Sequence, residues 1–162
     1  MTAFSSTSSV TVYRRLPRGG FAGPATYGVN RPEVAGVGDV TGDGRNDVVL
    51  ATDNSASGPN VVVMAQNQRG TLDPPVLRPT ARDARALLVR DLNRDGRQDV
   101  VVLHDRKLGI YLQPPGGGLL PEALYDVPTG GSLTVGDVNG DGAPDIALTS
   151  REQGLVVLRQ AR

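Results

Sequence analysis

Residues 136–148 read GDVNGDGAPDIAL, and two further stretches read the same way: GDVTGDGRNDVVL at 38–50 and RDLNRDGRQDVVVL at 90–103. Counted from the first aspartate, the loops are D-V-T-G-D-G-R-N-D, D-L-N-R-D-G-R-Q-D and D-V-N-G-D-G-A-P-D. Oxygen-bearing side chains fall at positions 1, 3, 5 and 9, glycine stands at position 6, and a run of apolar β-formers follows. Three carboxylates within nine residues repel one another unless a cation or strong hydrogen bonds offset the charge. Nine of the chain's 17 acids are committed to these loops. A hard divalent cation such as calcium takes 6–8 oxygen ligands in a sharply turning loop. Glycine at position 6 supplies the turn at least steric cost. The pattern predicts calcium, about three ions per chain.

The EF-hand begins with the same D-x-[DN]-x-[DN]-G but closes with Glu at position 12 and lies between helices. Position 12 here is Leu50, Val102 or Leu148, and the flanks are strand-formers. A metal-free Asx turn also uses Asp, Asn and Gly, yet three copies in register ask for more than an ordinary hairpin.

The loops begin at Asp39, Asp91 and Asp137, so the repeat is 52 and then 46 residues long, the size of a propeller blade or related array. A shift of 98 residues superposes Val12 on Ile110, Tyr13 on Tyr111, Gly20 on Gly118 and Tyr27 on Tyr125. The middle repeat contains four strand-like pieces: 87–92, 100–104, 108–112 and 123–127. Four antiparallel strands per repeat make one blade. The first piece of each repeat runs apolar and is expected to be an inner strand buried on both faces. The predicted class is all-β, a β-propeller of four-stranded antiparallel blades with about three blades per chain. Residues 1–30 are expected to supply outer strands, 31–80 the first calcium-loop repeat, 81–129 the second, and 130–162 a third, incomplete one, all within a single domain of 1–162.

Propellers typically close with 4–8 blades. Completion by a second chain is therefore expected, in a C2 homodimer whose N-terminal strands finish the partner's last blade and close a six-bladed ring. The alternative is that the chain is a piece of a longer protein.

This loop, followed by an apolar strand, resembles the FG-GAP/VCBS repeat family, the calcium-binding blade of integrin alpha-subunit heads and many bacterial secreted proteins. The Phe-Gly and Gly-Ala-Pro signatures are poorly kept, so the chain looks nearer the bacterial variety. The resemblance implies three calcium ligand sets. They are Asp39, Thr41, Asp43, the Arg45 carbonyl and Asp47; Asp91, Asn93, Asp95, the Arg97 carbonyl and Asp99; and Asp137, Asn139, Asp141, the Ala143 carbonyl and Asp145. Thr41 departs from the acid/amide pattern, which makes the first site the weakest expected.

The remaining composition narrows function. Seventeen basic and 17 acidic residues give zero net charge, no global field for nucleic acid or an anionic membrane. No run of 18 apolar residues exists, so no membrane insertion is expected. Cysteine is absent, which removes disulfides and thiolate sites. No nucleophile elbow, zinc helix or phosphate loop is present. The single histidine, His104, stands beside Asp105 at a strand end, where neighbours point to opposite faces; it reads as a turn-proximal residue. The expected function is a non-enzymatic, calcium-stabilised module for structural or adhesive protein binding. The alternatives are a lectin-like glycan binder or the appendage of a secreted enzyme. Tyr13, Tyr27, Tyr111 and Tyr125 recur at blade positions, which suggests packing. Modest site charge matches the millimolar calcium of an extracellular or periplasmic setting, although no signal peptide is legible in 1–30.

Overall fold

The computed structural model describes residues 9–54 and 58–160; residues 1–8 of the expected N-terminal unit and 161–162 of the last repeat lie outside them. The described residues form strands and connections, with no helix. Strands β1 (Ser9–Val12) and β2 (Ala25–Gly28) make an antiparallel pair. Sheet I holds β3 (Pro32–Gly38), β4 (Asp47–Asn54), β5 (Gly58–Met64) and β6 (Val76–Pro79) in that order. Sheet II repeats the plan with β7 (Ala86–Arg90), β8 (Asp99–Leu103), β9 (Lys107–Tyr111) and β10 (Ala123–Asp126). Sheet III contains β11 (Gly130–Gly136), β12 (Asp145–Ser150) and β13 (Gly154–Leu158). All pairings are antiparallel, as in propeller blades.

The burial pattern corrects one expectation. The first strand of each sheet alternates, whereas the second is the buried one: all five residues of β8, Asp-Val-Val-Val-Leu, are buried. The first strand ends its sheet, with a partner on one edge only. The second has hydrogen-bonded partners on both edges, and in sheets I and II its two side-chain faces meet two different sheets. Continuous valine therefore marks the sheet's interior rather than its rim.

Three apolar clusters tie the sheets in series. Val10 and Tyr27 of the N-terminal pair pack on Leu50, Val62 and Met64 of sheet I. Val49, Val61 and Val63 of sheet I meet Leu87, Val89, Val100 and Tyr111 of sheet II. The opposite face of sheet II, with Val101, Leu103 and Leu108, meets Ile146, Leu148 and Leu158 of sheet III. In sheets I and II the hairpin after the third strand also sends one leucine backward: Leu72 joins the first cluster and Leu119 the second. Sheet III has no fourth strand among the described residues. There a cleft of about 590 Å³ lies between sheets II and III, lined by Leu92, Leu108, Ile110, Tyr125 and Leu158.

By repeat register β1 is a third strand and β2 a fourth, while β13 already holds the third-strand place in sheet III. Sharing β1 and β2 with a partner's sheet III would put five strands in four places, so the six-bladed closure foreseen from sequence does not follow from this strand inventory. The N-terminal pair is instead a two-stranded sheet of its own.

Sheets I and II approach through glycine. A Cβ on Gly36 would fall 2.6 Å from Leu87 Cδ2 and 3.0 Å from Val89 Cγ2. The Gly36→Val substitution is accordingly expected to cost about 1–3 kcal/mol by overpacking, read as a lower urea midpoint. An unchanged midpoint would mean the two sheets sit further apart than described.

Candidate metal centre

The three loops share one hydrogen-bond plan. At position 1, the Asp39 carboxylate accepts the amides of Gly42 at 2.7 Å, Asp43 at 3.1 Å and Gly44 at 2.7 Å. Asp91 accepts those of Arg94, Asp95 and Gly96. Asp137 accepts those of Asn139, Gly140 and Gly142, and the Gly142 amide leads the donors that hold its carboxyl below the usual range. Wrapping the amides inward requires left-handed backbone at positions 4 and 6. Gly42 and Gly44 have φ of 77° and 83°, Gly140 and Gly142 of 77° and 79°. The second loop puts Arg94 at φ 63° in the same role, a conformation that costs a side-chain-bearing residue roughly 1–2 kcal/mol.

Position 9 performs a task invisible in the motif. Asp47, Asp99 and Asp145 are 0%, 0% and 1% exposed. One oxygen of each accepts the position-2 amide: Val40 at 3.0 Å, Leu92 at 2.9 Å, Val138 at 3.2 Å. The other accepts the amide of a glutamine just past the third strand: Gln66 at 2.9 Å, Gln113 at 2.8 Å, Gln160 at 3.2 Å. Each aspartate thus latches its loop to the end of the third strand. Burial pushes the Asp99 carboxyl up, and the amides of Gln113 and Leu92 work against that. The glutamines recur every 47 residues (66, 113, 160), a signal present in the sequence that motif counting passes over.

Position 5 brings in the residue at position 7. Asp43, Asp95 and Asp141 accept the position-7 amides at 2.9, 2.9 and 2.7 Å. Arg45 and Arg97 pair through their guanidinium groups with Asp43 and Asp95. Their Nε atoms donate to the carbonyls of Gln66 at 2.8 Å and Gln113 at 2.9 Å. The side chain at position 7, which the motif leaves free to vary, bridges the acidic loop to the latch in the first two repeats; Ala143 leaves the third without it. Although burial opposes it, the amide of Arg97, the Asn93 side chain and the Arg97 guanidinium hold the Asp95 carboxyl below its ordinary value.

The donor chemistry suits a hard cation: carboxylates at 1, 5 and 9, a hydroxyl or amide at 3, a carbonyl at 7. One orphan supports the fit. Thr41 Oγ1 is buried and makes no hydrogen bond, although a buried hydroxyl ordinarily finds a partner. Asp47 Oδ2 accepts both the Val40 and Thr41 amides, but Asp47 Oδ1 and the oxygens of Asp99 and Asp145 each retain a second lone pair beside the amide they accept, so latch and ligand are compatible roles. The side chains are nevertheless arranged around amides and arginine: among the described residues, no three acidic or histidine side chains gather as a metal-holding group.

His104 lies elsewhere; it adjoins the turn after β8, where its amide donates to the Lys107 carbonyl at 2.8 Å, and its side chain is buried at 1% exposure. Its Nε2 is 3.1 Å from Glu122 Oε1 and 3.4 Å from Thr80 Oγ1, while Nδ1 makes no hydrogen bond. A hydroxyl and a carboxylate on the same ring nitrogen cannot relay a proton as a catalytic triad does. Asp105 instead pairs with Arg85 at 2.7 Å, so the two neighbours do face apart. Tyr111 is buried, donating to the Pro79 carbonyl at 3.0 Å, and the Tyr27 hydroxyl accepts the Leu72 amide at 3.2 Å. Tyr13 and Tyr125, their repeat equivalents, are 58% and 53% exposed, so only half of that set packs.

The latch generates a test. Asp99→Asn places an amide NH₂ against a backbone N–H and should cost about 1–3 kcal/mol. The loss from the latch is expected to persist in excess chelator, and to be larger in excess calcium where the residue also serves as a ligand, by chemical unfolding. A loss seen only with calcium would make the residue a ligand and nothing more.

Comparison with known proteins agrees with this geometry. The sequence profile of FG-GAP-like repeats matches residues 39–102 and 91–148. No curated protein matches the chain. A solved structure of the Photorhabdus luminescens Tc holotoxin pore is similar in fold, with TM-score 0.54 and 20% identity. The similarity covers 94% of this chain and 8% of that one, so the present chain spans a small fraction of its structural neighbour. With the repeat matched over both overlapping units and the blade-like sheets in place, this chain belongs to the FG-GAP-like repeat family.

Proposed function

We propose that the chain is a calcium-stabilised, β-propeller-like module that binds another protein and performs no chemistry of its own. The observation that carries this reading is the threefold recurrence of one all-oxygen loop, complete with amide cradle and orphaned Thr41 hydroxyl. Calcium would be held by Asp39, Thr41, Asp43, the Arg45 carbonyl and Asp47, and by their counterparts in the other two loops. When bound it would neutralise carboxylate repulsion. The chain's own residues do the rest: position 1 shapes the loop, position 9 fastens it to the third strand, and the sheets present broad surfaces to a partner. The family and the toxin-assembly neighbour are compatible with work outside the cell, where calcium is millimolar and sites of this modest charge fill.

A glycan ligand is the second reading, favoured by the cleft between sheets II and III. Tyr125 is exposed at its wall, with Asn93, Asp126 and Gln160 as polar neighbours, a mixture of aromatic face and hydrogen-bonding groups suited to a sugar. A glycan array run on the wild type and on Tyr125→Ala separates the two; binding that Tyr125 controls would replace the protein-binding reading.

At free calcium about ten times the dissociation constant, each site adds roughly 1.4 kcal/mol by mass action. Three sites together approach 4 kcal/mol, which raises the melting temperature by about 10 °C for a chain of this size. Calorimetry with calcium and with chelator should show that gap while the far-ultraviolet dichroism stays the same. Superimposable melting curves would remove calcium from the proposal.

A further inference from the structure

The two ends of the series of sheets expose residues whose repeat equivalents are buried together between sheets I and II. On the N-terminal pair, Tyr13 and Phe21 are 58% and 67% exposed. The 98-residue shift maps them to Tyr111 and Leu119, which are 1% and 5% exposed and face sheet I in the same apolar cluster. On the far side of sheet III, Val138, Leu155 and Val157 are 56%, 67% and 39% exposed. Strand register and the glutamine spacing map them to Val40, Val61 and Val63 of sheet I, which are 1%, 0% and 7% exposed and belong to the same cluster as Tyr111 and Leu119. The chain therefore carries both halves of a joint it has already built once internally.

Charge follows the same division. Before Glu33 the sequence holds Arg14, Arg15, Arg18 and Arg31 and no acid. Residues 130–160 hold Asp137, Asp141, Asp145 and Glu152 against Arg151 and Arg159, an excess of acid over base. The register places these charges opposite one another. Gln113, the equivalent of Arg15, donates through Nε2 to the Asp39 carbonyl of the preceding acidic loop at 3.0 Å. Gly117, the equivalent of Gly19, lies so close to the Thr41 carbonyl that a Cβ there would sit 1.7 Å from it. The equivalents of Asp39 and Thr41 are Asp137 and Asn139. A joint of the same form would set Arg15 against the acidic third loop and Gly19 against Asn139.

We infer that a second copy of this chain is the occupant of both surfaces: the N-terminal hairpin of one copy stacks on sheet III of the other, as sheet II stacks on sheet I. The contact is heterologous, head to tail. Each copy supplies four blade positions, so two copies close at eight, within the range at which propellers close, and no strand place is filled twice. Closure of this kind buries both apolar ends and leaves no outward copy of the joint, which is what distinguishes a ring from a filament. The inference rests on the blade-like repeat and is independent of calcium.

Sedimentation and light scattering on the full chain test it. The wild type should have twice the single-chain mass of 17.0 kDa, at tens of micromolar and low salt. Phe21→Asp and Leu155→Asp alter exposed side chains, so both should keep the wild-type dichroism, and each should sediment as a single chain. Mixed together they should regain a single joint, Leu155 of the first variant against Phe21 of the second, and give a two-chain species that neither forms alone; this regain also shows that both are folded. A wild type with the mass of one chain overturns the inference, as does a dimer that survives Leu155→Asp. A dimer lost on Ile110→Asp but not on Leu155→Asp would seat the hairpin in the cleft between sheets II and III and equally overturn it. Running every arm with calcium and with chelator keeps this result separate from the metal reading, which stands or falls on the melting curve.

Discussion

The structure depends on a carboxylate placed where carboxylates are expensive. Asp47, Asp99 and Asp145 sit out of solvent at the root of each acidic loop, and an unpaired charge there would cost several kcal/mol. Each is made tolerable by backbone amides from two places: one past the third strand and one inside the loop, with the Thr41 amide a second loop donor to Asp47. The hairpin between the first two strands and the exit of the third are consequently held by the same side chain. The first three strands of each sheet cannot part without stranding either a charge or two buried donors.

That latch also sets where the loops lie relative to the neighbouring sheet. The first loop is gripped from sheet II at three points: the Asp39 amide donates to Gln98 Oε1 at 3.1 Å, the Asp39 carbonyl accepts from Gln113, and Gly117 abuts the Thr41 carbonyl. Gln113 thus serves both joints at once, its backbone amide bound to Asp99 within its own sheet and its side chain bound to the loop of the sheet before. Stiffening a loop, whether by hydrogen bonds or by a cation, is transmitted directly to the contact between sheets. In this arrangement a metal bound at a surface loop would bear on the packing of the whole array.

The fold is legible in the sequence because its two strongest signals are local. Val-rich runs after each Gly-bearing acidic turn mark strands, and a gapless register between the first and third repeats marks the array. The order of burial is less legible, since an apolar run does not say whether a strand lies at a sheet's rim or centre. That depends on hydrogen-bonded neighbours, which come from distant residues. The roles of Arg45, Arg97 and the three glutamines stay hidden for a similar reason: a motif describes its own nine positions, and these contacts cross to the exit of the third strand. His104 reads as a strand-end residue because its partners, Glu122 and Thr80, lie 18 and 24 residues away. The family profile, in turn, begins at Asp39 and so passes over the N-terminal pair that the repeat register places in the same series.

The repeats are not equivalent in charge, and the difference bears on what each loop requires. In the first two, a guanidinium beside the position-5 carboxylate offsets part of the self-repulsion and occupies an oxygen that a cation would use. In the third, Ala143 provides neither the positive charge nor the competition, and the loop is the most exposed of the three at its first three positions. Arg94, reaching across from the second loop, lies 3.7 Å from Asp141 and donates to its carbonyl at 3.2 Å, a weaker substitute from a neighbouring sheet. The third loop is thus the one whose carboxylates have most to gain from an ion. The sequence pattern, by pointing to Thr41, ranks the sites by the ligand they lack, whereas the balance of charge ranks them by the counter-ion they already possess.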